Sequence, residues 1–186
     1  MRYATSLRYF LFVCAALIFA VFAKAQTPAP ASPPPPALLA PVPPALLNAK
    51  TVFISNAGAD SGLFPHPFSG DPDRPYNEFF AGMQAWGRYQ IVTDPSEADL
   101  VFELKLTAPY GPSNPNKQNG AADPLPMFRL VIFDRKTHYV LWTLTESIDF
   151  AFLQKTHDNN FDAALNAITM DLKRLTSAPN TTAANH

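Results

Sequence analysis

The 186-residue chain has a single cysteine, seven glycines, and only 16% charged residues. Its one thiol, Cys14, lies inside an apolar stretch near the N-terminus. The chain beyond it is therefore without disulfides, cysteine metal ligands or a cysteine nucleophile, and its stability must come from packing. It also lacks a glycine-rich phosphate loop, zinc-ligand spacing and a Gly-x-Ser-x-Gly elbow. Ser61, Ser69 and Ser147 stand outside any such context. Nucleotide-binding, zinc and serine-hydrolase chemistry thus have no motif to rest on, and the reading is of a non-enzymatic protein with no cofactor. An excess of positive charge is missing too. Arg2, Arg8 and Lys24 are the basic residues of the first 25, which hold no acid; 14 Lys and Arg less these three leaves 11 against 15 Asp and Glu, a net charge of −4. Such a balance argues against nucleic acid or an anionic lipid surface as partner.

What the N-terminus does hold is an export signal. Arg2 and Arg8 precede or enter an apolar run from Tyr9 to Phe22, and Ala23, Lys24 and Ala25 place small residues where a signal peptidase reads. Cleavage is expected between Ala25 and Gln26, giving a periplasmic or extracellular protein. Bulky Phe12 and Val13 before Cys14, and the apolar run continuing past it, do not fit an acylated lipoprotein cysteine. The run is shorter than the ~20 residues of a membrane span, so the membrane is a partner only if the signal stays uncleaved. Residues 26–46 follow as a linker with nine of the 20 prolines, including Pro33 to Pro36. Proline fixes φ and removes donors, so an extended polyproline II spacer reaching roughly 60 Å is predicted, disordered as a unit.

Residues 47–176 remain as one domain, with 177–186 a polar tail. Thr51 to Asn56 is β-branched and reads as a buried strand. Phe79, Phe80, Met83 and Trp86 recur at helical spacing between Pro75 and Gly87. Strands are predicted at Tyr89 to Thr93 and over Leu100, Phe102, Leu104 and Leu106, the last wet on part of one face at Glu103 and Lys105. Phe128 to Phe133 and Tyr139 to Ile148 form an antiparallel hairpin about the polar set Asp134 to His138. Phe161, Ala164, Leu165, Ile168, Leu172 and Leu175 mark one face of a last helix, capped by Asp158, Asn159 or Asn160. The order β-α-β-β-β-β-α predicts an α+β fold: a mixed four- to five-stranded sheet with two helices on one face.

The first strand, the helix ending in Trp86 and Gly87, the strand Tyr89 to Thr93, and Ala98, Asp99, Leu100 and Val101 entering the next strand resemble envelope domains of the TolB N-terminal type. The Asp134 turn followed by Leu141 and Trp142 is similar to small exported bacterial domains of unknown function. The resemblance implies an interaction module of the cell envelope, with an envelope protein or a cell-wall component as partner and no oligomeric state specified.

Two long loops depart from that pattern. Residues 57–75 contain three glycines and four prolines, and residues 108–126 five prolines and two glycines. Leu63, Phe64, Phe68 and Tyr110 lie on them. Rigid aromatics on such loops either serve recognition or fold back as lids over the sheet. These four are the candidate partner-binding residues. His66, Asp71 and Asp73 share the first loop and offer the alternative of a metal-assisted hydrolase, since an imidazole and two carboxylates can hold a divalent ion and activate water. His157, Asp158 and Asp162 read more simply as a helix start, and His138 as a turn residue. Asn180, Thr181 and Thr182 match a glycosylation acceptor by chance.

Overall fold

The computed structural model describes residues 40–177. The signal segment, most of the proline-rich tract and the glycosylation match lie outside the described residues. Within them the chain forms α1 (Pro44–Asn48), β1 (Thr51–Ala59), α2 (Arg74–Trp86), β2 (Gln90–Ile91), β3 (Leu100–Thr107), β4 (Tyr110–Ser113), β5 (Ala122–Pro124), β6 (Met127–Asp134), β7 (Val140–Ser147) and α3 (Gln154–Ser177). Five strands make a mixed sheet in the order β2-β1-β3-β6-β7, and β4 and β5 pair separately. β1 runs parallel to β2 and β3, and β6 lies antiparallel to both of its neighbours, β3 and β7. This is the predicted α+β fold.

Alternation explains the layering. Leu100, Phe102, Leu104 and Leu106 of β3 are all buried, while Lys105 between them is exposed. Their register carries the same face onto Ile54 of β1 and onto Ile132, Leu130 and Phe128 of β6. Against that face α2 packs Phe79 and Met83, and α3 packs Phe161, Ile168 and Leu172. Truncating one such side chain to alanine costs about 2–5 kcal/mol. On the other face Phe53, Val101 and Phe133 stand in register, half-buried.

Helix ends follow local chemistry. Gly87 closes α2 in the left-handed conformation, φ 68°, its N–H donating to the Met83 carbonyl at 3.2 Å. Asp99 braces the start of β1: its carboxylate accepts from the amides of Lys50 (2.8 Å) and Thr51 (3.1 Å), and these bonds hold its pKa below the usual carboxylate range. The Ala98–Asp99 stretch thus ties two strands together.

Several boundaries differ from expectation, β1 for one running on to Ala59. Residues 44–46, read as the end of the linker, belong to α1, whose Leu46 is fully buried and whose Leu47 carbonyl accepts from Arg88 at 2.8 Å. The strand expected over Tyr89 to Thr93 shrinks to two residues, because Tyr89 turns into the core and meets Phe102 edge-on at 5.6 Å. Residues 108–126 are not wholly irregular: Tyr110 pairs with Pro124, and Ser113 with Ala122. The last helix begins at Gln154, one turn ahead of its expected cap.

Candidate functional site

The first proline-rich loop, from Asp60 to Asp73, is stitched to the start of α3. The Ser69 amide and hydroxyl donate to Asp158 at 2.9 and 2.7 Å, and the Gln154 amide donates to the Pro67 carbonyl at 2.7 Å. Arg74, at the first turn of α2, joins all three elements. Its guanidinium reaches Glu78 at 2.7 Å, Asp158 at 2.8 Å, Asp162 at 2.6 Å and the Ser69 carbonyl at 3.0 Å, and lies 4.2 Å from the centre of the Phe161 ring. Burial pulls its pKa down, but the three carboxylates outweigh that and raise it overall. Burial likewise raises Asp158, and the Ser69 and Arg74 bonds overcome it to leave a net lowering. Asp158 therefore lies inside the helix and clasps a loop. It is not the cap expected from the sequence.

With the loop held down, its apolar residues divide. Leu63 is 5% exposed and Phe68 fully buried, against Phe161 at 5.3 Å between ring centres. Phe64 is half-buried and touches the same cluster, 6.3 Å from Phe161. These three candidates for partner binding pack over the sheet, and Phe68 also lines a cavity. Tyr110, on β4, is 81% exposed.

The other expected trio does not converge. His66 Nδ1 lies 3.0 Å from Gln154 Oε1; Asp71 accepts from the Asp73 amide at 2.9 Å; Asp73 accepts from the Asn56 side chain at 2.8 Å. Among the described residues no group of three His, Cys, Asp or Glu side chains is arranged to hold a metal ion. The His66, Asp71 and Asp73 hydrolase is corrected on that geometry. His138 sits exposed in the hairpin turn at φ 60°.

What the structure does assemble is a cavity of about 390 Å³ where both proline-rich loops meet the segment between β7 and α3. Its walls are Pro67 and Phe68 of the first loop, residues 123–126 of the second and residues 148–150, with His157 of α3 completing the lining. The volume falls in the range of small-molecule pockets, roughly 300–1,000 Å³. His157 is held edge-on between Phe68 (6.0 Å) and Phe150 (5.7 Å). Phe150, Phe152 and Leu153 are 76, 93 and 70% exposed, and Leu125 on the facing loop 48%. Sequence reasoning missed this aromatic rim because the Phe-x-Phe-Leu run at 150–153 has no period and no turn residue to flag it. Its one signal was three large apolar residues in four within a connecting segment. Arg74 was missed because two of its three carboxylates, Asp158 and Asp162, lie 84 and 88 positions away in sequence.

No family model matches the sequence, and no curated protein matches it. Solved structures with a similar course of chain include a DUF4136 family protein from Bacteroides thetaiotaomicron, 16% identical over 72% of this chain and 92% of that one, TM-score 0.47. The hypothetical protein CT253 from Chlamydia trachomatis is 8% identical over 70% of this chain and 99% of that one, TM-score 0.45. An uncharacterized lipoprotein B from Nitrosomonas europaea is 12% identical over 75% of this chain and 89% of that one, TM-score 0.37. Likenesses this distant decide neither family nor activity.

Proposed function

We propose that this protein is an exported envelope domain that acts by binding, without catalysis, and that its binding surface is the apolar cavity between the two proline-rich loops together with its exposed aromatic rim. The observation that carries the reading is the convergence of three separate loops on one cavity, walled by aromatic and proline side chains, beside a cluster of exposed phenylalanines. The export signal and the resemblance of the Trp86–Gly87 and Ala98–Asp99 stretches to envelope interaction modules support the location. The histidines support a role without chemistry: His66 is bonded to a glutamine and His157 is packed between two phenyl rings.

The test uses N-phenyl-1-naphthylamine, an uncharged apolar fluorophore, and the purified mature protein. The fluorophore is expected to brighten on binding, and the double variant Phe150→Ser with Leu125→Ser to lose at least fivefold in affinity. Tyr139→Ser, an exposed aromatic at the other end of β7, leaves binding unchanged. Circular dichroism confirms that each variant is folded. Equal binding by all three proteins would sink the assignment.

A further inference from the structure

We propose that the cavity takes one hydrocarbon chain of an amphiphile whose ammonium head group lies at Asp149. This rests on the reading above and names the ligand class of that same site. The first ground is what the walls withhold. Pro67, Pro124 and Pro126 have no N–H to offer. The remaining wall amides are largely spent: Phe68 donates to the Leu63 carbonyl (3.2 Å), Leu125 to Pro109 (2.8 Å) and Ile148 to Pro126 (2.9 Å). Three of the wall carbonyls are engaged as well: Pro67 by the Gln154 side chain at 2.7 Å, Asp149 by the Asn160 side chain at 3.0 Å, and Pro126 by the Ile148 amide. A peptide laid along such walls would leave its own amides and carbonyls without partners, which is costly where water is excluded. A hydrocarbon chain has none to lose, so wall chemistry selects lipid over peptide.

The second ground is charge. No lysine or arginine lines the cavity, and its two acidic residues differ. Asp123 is held by Lys117 and by the Asn114 side chain, the latter at 2.6 Å. The exposed Asp149 carboxylate has no hydrogen bond or ion pair among the described residues. An anionic head, such as a fatty-acid carboxylate or a sulfate, meets repulsion here, while an ammonium meets a free carboxylate beside an aromatic ring. The third ground is the mouth. Phe150 lines the cavity and Phe152 meets its ring edge-on at 5.1 Å; both rings are exposed, the kind of surface that meets a lipid interface.

Calorimetric titration of the mature protein with decyl-, dodecyl- and tetradecyltrimethylammonium, each below its micelle concentration, tests the class. Affinity is expected to rise about fourfold per added methylene, the equivalent of about 0.8 kcal/mol, until the cavity is filled. Alkyl sulfates of equal length are expected to bind at least fivefold more weakly. Asp149→Asn is expected to erase that head-group preference and keep the chain-length dependence. Phosphatidylethanolamine vesicles serve as the lipid source, and co-sedimentation of the protein, reduced by Phe152→Ser, is expected. Absence of chain-length dependence, or sulfates binding as well as ammoniums, overturns the proposal. So does displacement of the neutral fluorophore by apolar peptides when the amphiphiles leave it in place. If the fluorophore binds and the amphiphiles do not, the lipid class falls and the binding cavity stands.

Discussion

Arg74 is where single side chains matter most. One guanidinium satisfies three carboxylates and a carbonyl drawn from a loop and both long helices, with its own side chain 17% exposed. Removing it leaves Asp158 and Asp162 facing each other without a cation. Arg74→Met is expected to lower the unfolding free energy by about 2 kcal/mol, less than for a fully buried pair because Asp162 is half exposed. Glu78→Gln, on the solvent side of the same hub, is expected to stay within about 0.5 kcal/mol. Urea midpoints of the two variants check both. Asp60 supplies a pH-dependent contribution. Thr107 Oγ1, the Ala108 amide and Lys105 hold its pKa at about 2, down from 3.8. A carboxyl depressed in the folded state stabilises above its unfolded value, and that contribution is lost as the pH falls from about 4 through about 2. Asp60→Asn is therefore expected to flatten the fall in thermal midpoint between pH 4 and pH 2; an unchanged acid slope would count against it.

Among the elements, α2 is the one whose sequence and structure agree most closely, because its signals are local. The spacing of Phe79, Met83 and Trp86 sets the buried face, and Gly87 ends the helix where φ must be positive. A Cβ at Gly87 meets nothing within 4 Å, so Gly87→Ala isolates backbone strain and is expected to cost about 1 kcal/mol by denaturant melting. The α3 start was less legible. Asp158 and the asparagines after it look like a cap, yet the helix begins at Gln154, which hydrogen-bonds back to the first loop while His157 packs on Phe68. The β4–β5 pair was invisible among its prolines, and neither strand contains a buried residue. Its amides are expected to exchange with deuterium faster than those of β3 and β6 by at least a hundredfold, since little burial holds them closed.

For the molecule as a whole, the domain border is the testable matter. Leu46 is fully buried although proline counting places it in the linker. A chain begun at Lys50 is expected to melt about 5–10 °C below one begun at Ala40, the loss of one buried leucine and its helix. Cysteine count, the alternation of β3 and the period of both long helices determine by themselves an α+β domain whose described residues hold no thiol. Each is a property of composition or of residues within a few positions of one another. The partners of Arg74, the burial of Leu63 and Phe68, the separation of His66 from Asp71 and Asp73, and the cavity ringed by Phe150 and Leu125 were decided only by tertiary structure. These depend on contacts between residues far apart in sequence, and local pattern carries no record of which distant loop a side chain will meet.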